Sequence, residues 1–196
     1  LIYEALQDMD RRRHARFARE APDLLPFYEN PQNIAPFNLG LLKAGDWPSS
    51  VPDLLEAHGR IGIFPGESVE EMHREFEEAV YAAAAADPWL SENQPSVEWY
   101  EGLFEPAQVS ANHPLISTLL LSHQQVFGKK VELEAATYGS DMRIFNNYGA
   151  IPTILYGPGD VSLAHTVNES IRIEELIDAA SVIVRMLINW CGAAKL

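Results

Sequence analysis

The most constraining stretch of this chain lies at residues 53–64. Leu55, Ala57, Gly59, Ile61 and Ile63 fall on one side of a two-residue period, and Glu56, His58, Arg60 and Gly62 fall on the other. A period of two belongs to an extended strand, and a wholly polar side belongs to a strand whose sheet is covered on one face only. The strand stops at Pro65-Gly66. Directly after it, Ser68 and Glu71 have capping-box spacing, in which each side chain satisfies an orphan N–H at a helix start. Val69, Met72, Phe76, Ala79 and Val80 then form a helical stripe that runs into the small-residue tail Ala82 to Ala86 and ends at Asp87-Pro88. A one-sided strand followed by an amphipathic helix calls for a layered fold with helices on one sheet face.

The rest of the chain extends that plan. Ile2, Ala5, Leu6 and Met9 give residues 1–20 an apolar helical stripe. Arg11, Arg12, Arg13, Arg16 and Arg19 follow and read as a solvated helix end, with cations near the negative end of the dipole. Pro22, Pro26, Pro31 and Pro36 break residues 21–36 into loop. Further strands are predicted at 36–43 and at 96–105, the latter through Val97, Trp99 and Leu103. The run Ser110-Ala111-Asn112-His113-Pro114 reads as a hinge, which divides the chain into domains at 1–112 and 113–196. The second domain is expected to hold a helix at 114–127, a short strand at 131–136 and a strand covered on both faces at Ile151–Tyr156. Its last helix is expected at 169–191, burying Ile173, Leu176, Ile177, Ala180, Ile183, Val184 and Leu187.

Charge and composition exclude several function classes. A formal net charge of −14 opposes nucleic acid and anionic membrane surfaces as partners. No apolar run approaches the ~20 residues of a membrane-spanning helix. A lone cysteine, Cys191, excludes a disulfide scaffold, favours a reducing, cytoplasmic compartment and reads as core. The chain opens on Leu1 and enters helical pattern at once, so the natural protein is expected to begin upstream.

Two loops are placed for chemistry, because open α/β sheets bind ligands at the carboxyl ends of their strands. Gly139-Ser140-Asp141 with Arg143 offers backbone N–H groups, a hydroxyl, a carboxylate and a guanidinium; the same residues also read as a helix cap. Gly157 to His165 offers Asp160 and His165; Gly-Pro-Gly-Asp also reads as a turn. Thr166 and Glu169 form a second capping-box pattern, which leaves His165 open as a pre-helix residue. Ser140 has no evident base beside it in the sequence, and no phosphate-binding glycine-rich loop is present. His14, His58, His73, His113 and His123 are scattered and read as surface or hinge residues.

The stretch Gly157-Pro158-Gly159-Asp160, then Ala164-His165-Thr166-Val167-Asn168-Glu169, then Ile173-Glu174-Glu175-Leu176, resembles the C-terminal signature of a metallohydrolase family. That family contains acetylornithine deacetylase, succinyl-diaminopimelate desuccinylase, aminoacylase and carboxypeptidase G. Gly139-Ser140-Asp141-Met142-Arg143 resembles the family's Gly-(Thr/Ser)-Asp-x-Arg segment. Pro48 to Pro52 and Arg60 to Glu67 resemble its inserted lid, or dimerisation, domain. The order and spacing match along essentially the whole chain.

The resemblance implies a fold: a two-layer α+β lid lacking its first strand (1–112), followed by the C-terminal segment of an α/β zinc-peptidase-like catalytic domain (113–196). The complete lid would be a four-stranded sheet with two helices on one face. The resemblance also implies two metal ions, zinc or alternatively cobalt or manganese, held by five side chains. His165 corresponds to one of the five; the other four ligands and the glutamate base are expected upstream of Leu1. This chain alone is therefore expected to be inactive and to bind no metal. In the intact enzyme the metals would activate a water for attack on the amide of an N-acyl amino acid. Gly139, Ser140 and Arg143 would line the substrate pocket, and Arg60 would grip a carboxylate, which guanidinium binds bidentately. The lid would mediate a homodimer. Two positions depart from the pattern. Ser49 and Ser50 stand where the family has an asparagine before Val-Pro, and Gly62 stands where its lid arginine usually sits. Arg60 lies two positions earlier on the same strand face.

Overall fold

A computed structural model of the chain describes residues 1–100 and 102–193. The chain divides into two compact units: Leu1–Pro106 together with Glu134–Gly139, and Ala107–Leu133 together with Ser140 onward. It combines helices with a β-hairpin, a mixed α/β class.

In the first unit, α1 (Ile2–Glu20) and α2 (Val69–Ala85) lie on one face of an antiparallel hairpin, β1 (Phe37–Ala44) and β2 (Leu55–Ile61). The predicted capping box forms its N-cap half: the Ser68 hydroxyl accepts from Glu71 N–H at 3.1 Å. Leu6 and Met9 from α1 meet Val80 from α2, and Phe37 and Ile61 of the hairpin pack against them. Since Ile61 faces the helices, strand alternation puts Gly59 and Ala57 on that side and Arg60, His58 and Glu56 on the open side. A second cluster joins Phe17, Ile34, Ala35 and Phe64. The hairpin register pairs Asn38 with Arg60 and Leu39 with Gly59, then skips Gly40 and pairs Leu41 with His58. Gly40 is thus a one-residue bulge in β1.

The arginine run is not simply a solvated helix end. Arg13 is fully buried. Its Nε and Nη2 donate to the Glu67 carboxylate at 2.9 and 2.5 Å, and Nη2 also donates to the Gly62 carbonyl at 2.7 Å. Arg16 joins Glu67 at 3.1 Å and Glu75 at 2.9 Å. One face of α1 carries both the apolar stripe and this network, because Met9, Arg13 and Phe17 recur at i, i+4 spacing. His14 is not a surface residue either; it is mostly buried, edge-on to Phe64.

Other local expectations shift. Pro22–Phe27 forms a 3₁₀ turn inside the proline-broken loop. Asp87 does not only end α2. Its carboxylate accepts from Trp89 and Leu90 N–H and starts a short helix, α3 (Pro88–Glu92). Residues 96–105 and 131–136 form no strand ladder among the described residues. A strand exists by pairing, whereas β-propensity reports only how side chains suit a pleated surface. Val97 and Trp99 are instead used as anchors: Val97 packs into the Leu6 cluster, and Trp99 stacks on His73 and donates to Glu77.

The second unit is built on α4 (Pro114–Phe127) and α5 (Ile173–Cys191). The hinge histidine His113 caps α4 through Nδ1, which accepts from Leu115 N–H at 3.1 Å. Ser122 is fully buried; its hydroxyl donates to the Thr118 carbonyl and accepts from Asn189, stitching the two helices. Ile116, Leu119, Ala179 and Val182 make the packed seam. The expected face of α5 is not the packed one: Ile173, Leu176, Ile177, Ala180, Ile183, Val184 and Leu187 are not buried. Cys191 is exposed as well, half a circuit away from Val182 at 3.6 residues per turn. Ile151–Tyr156 forms no ladder among the described residues. The Asn146 amide takes both backbone groups of Thr153 instead, accepting its N–H at 2.8 Å and donating to its carbonyl at 3.0 Å.

Candidate functional site

The candidate residues fall in both units, Arg60 and Gly139 in the first and Ser140, Arg143 and His165 in the second.

His165 sits in the loop between a short 3₁₀ turn, Val161–Leu163, and α5. Asp160 opens this loop: its carboxylate accepts from Ser162 N–H at 2.8 Å. Hydrogen bonds from the Ser162 side chain and backbone hold the Asp160 carboxyl below the ordinary aspartate range. The turn closes with the Thr166 hydroxyl donating to the Leu163 carbonyl at 2.7 Å. His165 itself adopts a left-handed backbone with φ of 63°, a conformation that non-glycine residues seldom take. Its N–H donates to the Glu169 carboxylate at 3.1 Å. The expected box between Thr166 and Glu169 does not open the last helix. Glu169 reaches one residue further back, and α5 starts only at Ile173 after Arg172. The His165 residue is exposed, and its ring has no hydrogen-bond partner among the described residues. Backbone strain and a carboxylate clamp thus fix the loop and leave the imidazole uncommitted.

Ser140 acts as the local cap that the sequence allowed. Its hydroxyl accepts from Met142 N–H at 3.3 Å, ahead of a π-helical turn, Ile144–Tyr148. Arg143 immediately precedes that turn and is half-buried. Gly139 is constrained by packing: a Cβ there would stand 2.6 Å from the Phe104 ring. Only glycine allows this close approach.

Arg60 lies on β2, on the face away from α1 and α2. It is exposed, and its guanidinium makes no hydrogen bond or ion pair with a described residue. Next to it on the same face is His58, whose Nδ1 lies 2.7 Å from the Tyr100 hydroxyl. The sequence pattern alone makes His58 an ordinary surface residue. Its two-residue spacing from Arg60 is the signal that could have singled it out.

A tightly held zinc ion needs at least three protein ligands. Among the described residues no three His, Cys, Asp or Glu side chains come together to hold a metal ion. No described helix is long and apolar enough to cross a membrane.

Known proteins are similar to this chain in sequence, and one solved structure in fold. N-formyl-4-amino-5-aminomethyl-2-methylpyrimidine deformylase of Halalkalibacterium halodurans is 28% identical over 99% of this chain and 45% of its own length. The LysW-lysine/LysW-ornithine hydrolase of Sulfurisphaera tokodaii is 26% identical over 88% of this chain and 46% of its own length. Acetylornithine deacetylase of Aliivibrio fischeri is 24% identical over 86% of this chain and 42% of its own length. The chain thus spans under half the length of these curated relatives. The M20 family metallo-carboxypeptidase Sso-CP2 from Sulfolobus solfataricus shares the fold, with a TM-score of 0.62 at 17% identity, over 91% of this chain and 44% of that one. The profile of Peptidase family M20/M25/M40 matches residues 30–189, from the loop before the hairpin almost to the end of α5, and the chain belongs to that family.

Proposed function

We propose that the complete protein is a metal-dependent hydrolase that cleaves the amide bond of an N-acyl amino acid or a related small amide, and that these 196 residues are its C-terminal portion. The observation that carries this reading is the His165 loop, which lies inside the family match and presents a free imidazole on a clamped, left-handed backbone. Neutral imidazole is the commonest metal-ligating side chain. Two relatives named above are a deformylase and a deacetylase, and both names describe removal of a small acyl group.

In this reading His165 supplies one ligand to a pair of metal ions, zinc or alternatively cobalt or manganese. The remaining ligands and the general base come from outside these residues, so the chain alone neither holds the metals nor turns over substrate. The bound metals would polarise the amide carbonyl and activate water. Arg60 takes the substrate carboxylate by a bidentate guanidinium contact. Gly139, Ser140 and Arg143 line the substrate pocket. Residues 1–112 form a lid that pairs two subunits, and 113–196 belong to the catalytic domain. The enzyme works in the cytoplasm on a small molecule.

A second reading, a non-catalytic dimerisation module, draws on the hairpin. Each of β1 and β2 has an unpaired edge among the described residues, a ready template for another chain. One experiment separates the two. The natural gene product is purified from its source cells, its intact mass and metal content are measured, and release of acyl groups from N-acyl amino acids is assayed. The hydrolase reading expects a mass well above that of these 196 residues, bound metal, and activity lost on chelation and in His165→Ala. A metal-free chain of this length that dimerises reversibly and releases no acyl group establishes the second reading.

A further inference from the structure

We propose that His58, oriented by Tyr100, is a specificity-determining residue that donates Nε2–H to the same substrate carboxylate that Arg60 grips. The inference rests on the role given to Arg60 above and adds the group that selects for a carboxylate beside it.

Phe37 and Ile61 pack toward α1 and α2, so the other face of β2 carries Arg60, His58 and Glu56. Residues two apart on a strand stand about 7 Å apart, on one face. The register sets Asn38 across from Arg60, and cross-strand partners share a face. Asn38, Arg60 and His58 therefore bring side-chain N–H groups to one patch. Neither the Arg60 guanidinium nor the Asn38 side-chain amide is hydrogen-bonded to a described residue, so their donors remain available. The acidic residue on this face, Glu56, lies on the other side of His58 from Arg60 and stands across from Lys43.

Tyr100 decides what His58 offers. The Tyr100 hydroxyl is 2.7 Å from His58 Nδ1, and the rings meet edge-on with centroids 6.0 Å apart. The segment carrying Tyr100 is already held by Val97 in the Leu6 cluster and by Trp99 on Glu77 and His73. The contact with His58 is therefore not needed to anchor the segment. A phenol is the stronger acid and a bare imidazole nitrogen the stronger acceptor, so Tyr100 donates to Nδ1 and the neutral ring keeps its proton on Nε2. His58 then faces solvent as a donor beside a free guanidinium. A guanidinium with a second N–H donor beside it matches both anionic oxygens of a carboxylate, whereas the neutral amide offers one uncharged carbonyl oxygen and turns an NH2 donor toward the others.

The test uses the 196-residue chain, with N-acetylglycine as the carboxylate probe and N-acetylglycinamide as its uncharged counterpart. Calorimetry gives affinity, and ¹⁵N NMR of the His58 ring reports its tautomer. The expected result is binding of the carboxylate in clear preference to the amide, with the ring protonated on Nε2. Arg60→Ala should abolish the preference. His58→Ala should weaken carboxylate binding about tenfold or more, the scale of a lost charge-assisted hydrogen bond. Tyr100→Phe should weaken it about two- to tenfold and mix the tautomers, and His58→Gln, which keeps an N–H donor, should restore part of the loss. The proposal is overturned if the wild-type chain treats the two probes alike, or if His58→Ala and Tyr100→Phe bind the carboxylate as wild type does. A metal-dependent deacylase indifferent to His58 would sink this inference and leave the hydrolase reading standing; carboxylate selectivity in a protein without acyl-releasing activity would do the reverse.

Discussion

The two units of this chain bury their interiors differently. The first has two apolar clusters and, beside them, a guanidinium shielded from water and tied to Glu67 and Gly62. The second has a narrow seam of Ile116, Leu119, Ala179 and Val182 around the Ser122 hydroxyl, while much of the apolar surface of α5 faces outward. The first unit is stabilised by apolar clusters together with a charge that cannot be left alone. In the second, only one stripe of α5 does the packing, and the rest of its hydrophobicity goes unused within the described residues. Equally hydrophobic helices can therefore differ in how much of that hydrophobicity stabilises the fold.

Mutations sharpen this contrast. Arg13→Ala takes the two-pronged guanidinium from the nearly buried Glu67 carboxylate, which keeps only Arg16 and the Phe64 N–H, and should cost about 3 kcal/mol in a denaturant titration. The double change Arg13→Met with Glu67→Met should recover most of that loss, because it removes both charges together. Within the second unit, Val182→Ala should cost about 2 kcal/mol through the cavity it leaves. Back in the first unit, Gly139→Ala drives a methyl into the Phe104 ring and should cost about 1–3 kcal/mol by thermal unfolding. Leu187→Ser, on the outward side of α5, should change the stability of the isolated chain by less than about 0.5 kcal/mol. A large loss at Leu187 would break the contrast.

The smallest effect concerns pH. The Asp160 carboxyl is held below its ordinary value by Ser162, so its contribution is present above the unfolded value of about 3.9 and is lost as pH falls through the lower folded value. Amide exchange at Ser162, corrected for the intrinsic pH dependence of exchange, should therefore lose protection on acidification below pH ~4 and keep it above.

Much of the first unit is legible in the sequence because its periods are local. The alternation of β2, the stripe of α2 and the Ser68 cap each need only neighbouring residues. Segments 96–105, 131–136 and 151–156 look like strands but form no ladder among the described residues, because pairing is a long-range event and a backbone group can find another partner, as Thr153 finds Asn146. Arg13 is hidden in the sequence because a basic run looks alike whether one member turns inward or none does; Glu67, which decides the matter, is distant along the chain. The packed face of α5 is equally hidden, because apolar residues nearly encircle the helix and the period cannot say which side meets α4. At the candidate site the resemblance names His165, but the Glu169 clamp and the positive φ are visible only in three dimensions. The His58–Tyr100 contact joins residues far apart in the chain and leaves no local trace.

The bulge at Gly40 has a consequence for how this hairpin tolerates change in length. Counted straight through from Phe37, alternation would turn Lys43 toward the helices and Leu42 toward the open side. The unpaired residue resets the count, so Leu42 shares a side with Ala57 and Lys43 with Glu56. Gly40 is therefore the spare link of β1. Removing it would close the ladder into one unbroken frame with every other partner kept. β2 holds no such slack: losing one residue from its middle would swap inside for outside along everything beyond the cut.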